Sequence, residues 1–213
     1  MHKFVRTAAP QAELAPLTSG KVSTWGEYMK RYPDEHNKLS RLLWVMQDFF
    51  CAYCERVVDF RDGECYGDGH IEHLERIRDN PGRKGDWTNM YFSCNDVCSC
   101  GRYKDAMAGR IDYGKVIDPS TEDPLEYLVY DPNGGVSPRP GDVGKIAKAT
   151  ETIRIFNLDQ APSLRALRKQ IAITVEGFLE TSPDVNEVAV FLDDVASSDC
   201  PSVYRSLLGY GRV

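Results

Sequence analysis

Apolar residues recur at helical spacing in the first quarter of the chain. Between residues 34 and 50 they lie three or four positions apart, at Leu39, Leu42, Leu43, Met46, Phe49 and Phe50. This period predicts an amphipathic helix that begins near Asp34, a good N-cap residue, and leads directly into Cys51. A shorter helix is predicted over 23–29. Residues 1–20 are predicted to form an extended arm, because prolines and a glycine interrupt their apolar positions.

The central segment alternates short apolar runs with turn-forming residues. Strands are predicted near 57–60 and at 70–74, and a turn-rich excursion over 61–69 separates them. The chain is expected to return to the core over 87–92 and to begin a helix over 102–110. Two strands and a helix that enclose a group of cysteines predict a ββα core.

After Pro119 the pattern becomes mainly helical. A β-hairpin is predicted first, with its glycine turn at 131–135. The helices predicted to follow lie over 142–158, 163–180 and 183–196, and a last short one begins at Cys200. Ser182 is the expected N-cap of the third of these, since Pro183 suits the first position of a helix. The predicted fold class is α+β. A core domain with an N-terminal arm and helix spans 1–118, and a hairpin with a helical region, expected to pack on the core and bind a partner, spans 119–213.

Charge and composition narrow the classes of protein that fit. No apolar run is long enough to cross a bilayer, and the first residues lack the apolar segment of a secretory signal, so a cytoplasmic location is expected. Thiols stay reduced in that compartment, where clustered cysteines indicate a metal site more often than a disulfide. The net charge of −6 argues against a general nucleic-acid binder, because such proteins neutralise phosphates. The acidic excess lies in 111–213, with 10 Lys and Arg against 16 Asp and Glu, which suits a protein partner better.

Six of the seven cysteines lie between residues 51 and 100. Cys51 and Cys54 form a Cys-x-x-Cys knuckle, which supplies two thiolates to a tetrahedral zinc ion. The second pair comes from Cys94, Cys98 and Cys100. Cys94 with Cys100 is preferred, because Cys100 stands where a helix is expected to begin, and Cys98 is the alternative. A redox pair or simply buried thiols are the competing interpretations. The cysteines expected to have no special role are Cys65 and Cys200.

Candidate catalytic groups follow the first cysteine pair. His73 is the candidate general base, because an imidazole near its ordinary pKa can take a proton from water at neutral pH. Glu72 is the natural oxygen ligand for a catalytic Mg or Mn ion, which phosphodiester hydrolysis uses to neutralise charge on the phosphate oxygens. Adjacent residues of a strand point to opposite faces, so these two serve one site only where the strand twists or ends. His70 shares a face with Glu72 and is the alternative ligand or base.

Asn89 and a set of basic residues complete the candidate site. The Asn89 amide is expected to hydrogen-bond loop backbone and to hold the base-bearing segment against the following helix. The basic residues are candidate nucleic-acid contacts, with an ordinary solvated surface as the alternative. They are Arg76, Arg78, Arg83, Lys84, Arg102 and Lys104.

Taken in this order, the motifs resemble the HNH endonucleases of the Septu and retron-associated anti-phage systems. The resemblance spans most of the chain, and its most specific parts are Cys-Ala-Tyr-Cys-Glu at 51–55 and Ile-Glu-His at 71–73. Further segments that carry it are 86–89, 93–94, 100–105 and the helical tail at 152–168.

The resemblance implies a zinc-stapled ββα-metal nuclease that cuts DNA. It implies a structural zinc and a catalytic Mg or Mn, with His73 as base, Glu72 as metal ligand and Asn89 as the middle motif residue. It also implies an ABC-type or SMC-like ATPase as partner, and it admits a retron reverse transcriptase with its nucleic-acid product as a further one.

The sequence departs from the family pattern just after the last cysteine. The third motif residue, usually His or Asn, is replaced there by Gly101 and Arg102. Asp105 lies one helical turn beyond Gly101 on the same face and is the replacement ligand that we expect. The departure keeps a second hypothesis open, a zinc-stabilised adaptor with a degenerate site that only binds a partner. A thiol-redox protein is the third.

Overall fold

The protein is described by a computed structural model over residues 1–60 and 68–209. Within these ranges the fold is α+β, with eight α-helices and two small antiparallel sheets. The helices are α1 (Gln11–Thr18), α2 (Trp25–Arg31), α3 (Pro33–Met46), α4 (Cys100–Met107), α5 (Val143–Phe156), α6 (Pro162–Glu180), α7 (Val185–Asp194) and α8 (Pro201–Leu207). The strands are β1 (Gly69–His73), β2 (Met90–Cys94), β3 (Leu128–Tyr130) and β4 (Val136–Pro138). Most of the turn-rich stretch predicted over 61–69, including Cys65, lies outside the described residues.

The central sheet consists of β1 and β2, and α4 follows it closely. The strands pair antiparallel, from Gly69 opposite Cys94 to His73 opposite Met90. The prediction of a short strand near residues 57–60 is wrong, because among the described residues that segment makes only a single bridge, between Phe50 and Val57. All five residues of β2 are buried, and such a continuously buried strand lacks the alternation that marks a half-exposed one.

The outer edge of β2 is covered by a side chain and by the cysteine knuckle. The Gln47 amide accepts a hydrogen bond from Phe92 N at 2.8 Å and donates one to Phe92 O at 2.8 Å. Ala52 N also donates to Phe92 O, at 3.0 Å. A polar side chain therefore meets the backbone of β2 where a third strand would otherwise lie.

The N-terminal region is helical where an extended arm was predicted. Helix α1 forms over Gln11–Thr18 even though it contains Pro16. Leu14, Pro16 and Leu17 are all buried on the side that faces the core. Burial of these side chains offsets the roughly 3 kcal/mol that an internal proline costs a helix.

The ends of α3 and α4 differ from their predicted positions. Helix α3 stops at Met46 rather than near residue 50, because Asp48 and Phe49 adopt positive φ angles of 51° and 71° and turn the chain into the knuckle. Helix α4 begins at Cys100 and ends at Met107, earlier at both ends than predicted, and Gly109 follows it with a φ of +62°.

The predicted hairpin and the later helices are present. Strands β3 and β4 pair antiparallel across the 131–135 turn, which confirms the hairpin. Helix α7 starts at Val185 behind Asp184, and not behind Ser182 as predicted. Asp184 and Glu187 form a reciprocal capping box that fixes this start.

The C-terminal helices pack on the cysteine knuckle. Phe156 of α5 stacks on Tyr53, with ring centroids 3.8 Å apart. Cys200 N donates to Glu55 O at 2.7 Å, and the Cys200 thiol donates to Cys54 O at 3.1 Å. Buried residues from both halves of the chain form one core cluster. None of the described helices combines the length and the apolarity needed to cross a bilayer.

We expect Phe156→Ala to lower the free energy of unfolding by about 3–5 kcal/mol, because it removes a fully buried ring from the stack against Tyr53. Urea unfolding followed by circular dichroism measures this loss. Val190→Ala on α7 is the control, since Val190 is 61% exposed and its loss should cost less than about 0.5 kcal/mol. Equal losses for the two variants would contradict the proposed packing.

Candidate functional site

Four cysteines meet in the interior of the protein, at the point where strand β2 ends. The sulfur atoms of Cys51, Cys54, Cys94 and Cys100 all lie within 4.8 Å of one another, and all four residues are buried. In the part of the chain that the structure describes, this is the only group of histidine, cysteine or acidic residues found so close together. The four cysteines could hold a metal ion such as zinc. Cys98 is exposed and stands outside the group.

Three elements bring these cysteines together. The knuckle after α3 supplies Cys51 and Cys54, the end of β2 supplies Cys94, and the start of α4 supplies Cys100. Cys100 adopts a φ of 57°, an uncommon value for a residue with a Cβ. The local backbone strain is offset by contacts elsewhere in the fold, and such strain is often found at functional positions.

The thiols of the cluster share hydrogen bonds. Burial by itself would raise the pKa of Cys51, but hydrogen bonds from the Cys100, Cys54 and Cys94 thiols hold it well below its ordinary value. Burial raises the pKa of Cys100. The cluster thus favours at least one thiolate, and thiolates are the ligands that a structural zinc requires.

A cavity of about 360 Å³ opens beside β1, close to the cysteine cluster. Strand β1 contributes His70, Glu72 and His73 to its lining, the loop after β1 contributes Arg78, and α4 contributes Arg102 and Asp105. Glu72 and His73 both reach this cavity although they are neighbours on a strand. They can do so because His73 is the last residue of β1, where the strand ends.

Glu72 is the buried anion of the cavity, at 2% exposure. Its Oε2 lies 3.6 Å from His70 Nε2, and its Oε1 lies 2.5 Å from Lys104 Nζ. Burial would raise the pKa of Glu72, but the positive charge of Lys104 and the adjacent His70 imidazole hold it below its ordinary value. Glu72 is therefore ionised at neutral pH.

Asp105 lies at the rim of the same cavity. Its Oδ1 is 3.0 Å from Lys104 Nζ, and its pKa is raised by burial and by the negative charge of Glu72. The ligand atoms of His70, Glu72 and Asp105 do not gather as tightly as the four sulfurs do, within the described residues.

Gly101 occupies the position just after the last cysteine of the cluster and lies against Glu72. A Cβ at this position would lie 2.5 Å from Glu72 Oε2, which is closer than non-bonded atoms approach. Glu72 occupies the space that a side chain at 101 would need. The absence of a side chain at position 101 is therefore linked to the position of Glu72.

His73 is held in one tautomer by the backbone. Its Nε2 lies 3.0 Å from the carbonyl oxygen of Lys84. A carbonyl oxygen only accepts, so Nε2 carries the proton and Nδ1 of the neutral ring remains an acceptor. Burial lowers the pKa of His73. The edge of the ring packs against Trp25, with centroids 4.6 Å apart.

Asn89 fixes the backbone that follows β1. Its Oδ1 accepts from Glu75 N at 2.8 Å, and its Nδ2 donates to Glu75 O at 3.0 Å. Leu74 N donates to the Asn89 carbonyl at 2.9 Å. These bonds to loop backbone are of the kind that the sequence led us to expect.

Two of the predicted phosphate contacts lie in the interior and do not fit that role. Lys104 is completely buried, and its ammonium donates to His73 O at 2.5 Å. Arg76 is also buried, where it binds Asp79 at 2.8 Å and the carbonyl of Gly109 at 2.6 Å. The hydrogen bonds of both cations are used inside the protein, although Arg76 also lines the cavity beside β1.

The other basic residues are nearer to solvent. Arg83 pairs with Glu75 and Asp86, and Lys84 Nζ donates to Ser23 O at 2.6 Å. Arg102 is exposed at the cavity, where its guanidinium lies 3.1 Å from Asn95 Oδ1. Arg78 also lines the cavity and is 60% exposed. Arg102 and Arg78 are the cations best placed to meet a ligand there.

One wall of the cavity was not predicted from the sequence. It is formed by Trp25 and Met29 of α2 and by His36 of α3. His36 is 5% exposed, and its Nδ1 has no hydrogen-bond partner within the described ranges. The sequence does contain one indication of this wall. His36 lies on the same face of the helix as the buried Leu39 and Leu43, where a polar side chain is unexpected.

Comparison with protein-family models and with curated protein sequences finds no match to this chain. The geometry of its own residues must therefore support any proposal about its function.

We expect Cys100→Ser to lose bound zinc and Cys98→Ser to keep it. Cys100 belongs to the four-sulfur group, whereas Cys98 is exposed outside it. Metal content per chain, measured by mass spectrometry after purification in zinc, separates the two. Zinc retained by Cys100→Ser at the wild-type level would contradict this assignment.

We expect stability to fall in mild acid because of His36. Burial lowers its pKa from 6.5 to about 4, so between these values the unfolded chain binds a proton that the native protein does not. The free energy of unfolding should therefore decrease as the pH falls through this window, by on the order of 3 kcal/mol from this residue. Urea unfolding of wild type and His36→Leu from pH 7 to pH 4.5 measures the effect. The difference in stability between the two should shift in favour of the variant as the pH falls, and a constant difference would count against it.

Proposed function

We propose that this chain is a metal-dependent HNH-type endonuclease that hydrolyses DNA phosphodiester bonds. The observation that carries the proposal is the cavity that brings His70, Glu72 and His73 together beside a buried four-cysteine group. The three cavity residues all lie on β1, and the strand β2 and the helix α4 that follow it supply Cys94 and Cys100, an arrangement that fits a ββα-metal core. The proposed HNH core consists of β1, β2 and α4.

The cysteine group would hold a structural zinc. Its donor set fits, because four thiolates satisfy the tetrahedral preference of zinc and leave no open position for a substrate. The zinc would join the knuckle, β2 and α4, and would contribute to folding and not to the reaction.

The pair formed by His70 and Glu72 fits a catalytic Mg or Mn ion. His70 Nε2 and Glu72 Oε2 lie 3.6 Å apart on the wall of the cavity, and they are the donors that would hold the ion. Such ions keep several waters and use phosphate oxygens as further ligands. When bound, the ion would neutralise charge on the phosphate oxygens. Asp105 at the rim is the proposed third protein ligand, directly or through water.

His73 would act as general base through Nδ1. The Lys84 carbonyl holds Nε2–H, so the free nitrogen can take the proton of an attacking water. The same hydrogen bond, with the nearby Glu72 carboxylate, would stabilise the imidazolium that forms. Asn89 would act as a positioning residue, since it anchors the backbone that follows His73. Arg102 and Arg78 would contact the substrate phosphates.

A partner protein is part of the proposal. The acidic excess in residues 111–213 is unsuited to holding DNA and suits contact with another protein. The resemblance to Septu and retron-associated nucleases supports an ABC-type or SMC-like ATPase in this role, in defence against phage. It also leaves room for a retron reverse transcriptase with its nucleic-acid product.

The alternative is a zinc-stabilised adaptor whose HNH site is degenerate. Two observations favour it, namely the glycine at position 101 and the ammonium that already occupies one oxygen of Glu72. An adaptor would form the partner complex but would not cut DNA under any metal condition.

We expect His73→Ala to reduce DNA cleavage by about 100-fold or more, because it removes the base. Supercoiled plasmid is incubated with protein, the candidate ATPase partner and Mg²⁺ or Mn²⁺, and nicked and linear products are quantified. His73→Gln is the second variant, since its amide can still donate to the Lys84 carbonyl but is not a base.

His2→Ala serves as the control. His2 contacts Asp48, away from the cavity, and the substitution should leave cleavage unchanged. Wild-type cleavage by both His73 variants, with native melting temperatures and zinc content, would sink the assignment of the base. Absence of cleavage by wild type under every metal condition would favour the adaptor.

A further inference from the structure

Lys104 brings a buried positive charge into the centre of the candidate site. Its side chain is completely buried, and its ammonium meets four oxygen acceptors. The carbonyls of His73 and Leu74 lie 2.5 and 3.3 Å away, Asp105 Oδ1 lies 3.0 Å away, and Glu72 Oε1 lies 2.5 Å away. The contact with Glu72 is an ion pair and not a well-directed hydrogen bond.

This ammonium remains charged. Two carboxylates compensate its positive charge, with Glu72 Oε1 at 2.5 Å and Asp105 Oδ1 at 3.0 Å from the ammonium nitrogen. A lysine in a helix is usually placed at the surface, since a fully buried ammonium is costly unless it is paired. Its position here therefore depends on the two carboxylates.

The ammonium limits what the protein can offer to a divalent cation. One oxygen of Glu72 is already paired with Lys104, so Glu72 offers the cavity only Oε2, which lies beside His70 Nε2, with the Asp105 carboxylate at the rim. Gly101 lies against that same Oε2 and contributes no ligand. With Lys104 present, Glu72, Asp105 and Lys104 carry a combined charge of about −1, which attracts a divalent ion less strongly than the two carboxylates alone would.

We propose that Lys104 is an internal counter-ion that competes with the divalent cation for Glu72. The protein by itself then binds the cation weakly, and it holds the cation firmly only when a nucleic-acid phosphate supplies further ligands. This inference rests on the proposed function for the identity of the cation and of the phosphate donor. In consequence, loading of the site with metal is coupled to the presence of substrate.

Direct titration with Mn²⁺ tests the proposal without any cleavage assay. Free Mn²⁺ is measured by electron paramagnetic resonance on zinc-loaded protein at constant ionic strength. Lys104→Met keeps the length and apolar character of the side chain but removes the charge, and we expect it to bind Mn²⁺ about tenfold or more tightly than wild type. Lys104→Gln gives a second uncharged variant should Lys104→Met fail to fold.

Two further variants test whether the change in Mn²⁺ affinity comes from the charge of Lys104 acting on Glu72. Lys115→Met changes the net charge by the same amount at an exposed lysine that pairs with Asp112, and it should leave the Mn²⁺ affinity as in wild type. The double variant Lys104→Met with Glu72→Gln should return to weak binding, because it removes the carboxylate for which the two cations compete.

A phosphorothioate-linked DNA oligomer, which resists cleavage, tests the coupling to substrate. It should increase the Mn²⁺ affinity of wild type about tenfold or more and that of Lys104→Met by a smaller factor. Tight Mn²⁺ binding by wild type without DNA, or unchanged affinity in a folded Lys104→Met, would overturn the proposal. If the affinities follow expectation while no variant cuts plasmid, the nuclease function fails and the competition between Lys104 and the cation stands.

Discussion

The convergence of four sulfur atoms is the constraint on which the rest of the structure depends. The knuckle, the end of β2 and the start of α4 are separate elements, and a two-stranded sheet of five-residue strands has little stability of its own. A metal ion bound by the four cysteines would tie these elements together and supply folding energy that the small sheet lacks. The C-terminal region also holds the knuckle in place, because Phe156 stacks on Tyr53 and Cys200 bonds to the backbone of the knuckle.

The position of α4 links this cluster to the cavity. Cys100 belongs to the sulfur group, Gly101 lies against Glu72, and Lys104 reaches the end of β1 one turn later. A cysteine of the sulfur group, a glycine that touches Glu72 and a lysine that pairs with Glu72 therefore follow one another along a single helix of eight residues. A small displacement of the cluster would move the carboxylate and the ammonium relative to the histidines.

Local spacing made part of this site predictable. A Cys-x-x-Cys knuckle, a strand that carries Glu72 and His73, and a later cysteine at a helix start can all be recognised from short segments of sequence. The preference for Cys100 over Cys98 followed from its place at the start of a helix, and the four sulfurs meet accordingly. The fold class and the hairpin were also within reach, because turn residues and periodicity mark them.

The remaining features depend on tertiary contacts. Strand β2 is buried along its whole length, so it lacks the alternation that would identify it. Helix α1 forms despite Pro16 because its leucines are covered by the core. His36 and Trp25 reach the cavity from two N-terminal helices whose place beside β1 was not predicted. Lys104 was taken for a surface lysine, since only the packed structure shows that two carboxylates and two carbonyls surround its ammonium.

The buried Gln47 amide has a further effect on how the strands are aligned. It bonds to both the N–H and the C=O of Phe92, and so it recognises one particular residue of β2. A slip of β2 by a single residue would reverse the face to which every side chain points. Such a slip would take Cys94 away from the other cysteines and would carry Met90 out of its place opposite His73. A single uncharged side chain thus helps to set the register in which both the cysteine group and the cavity beside β1 can form.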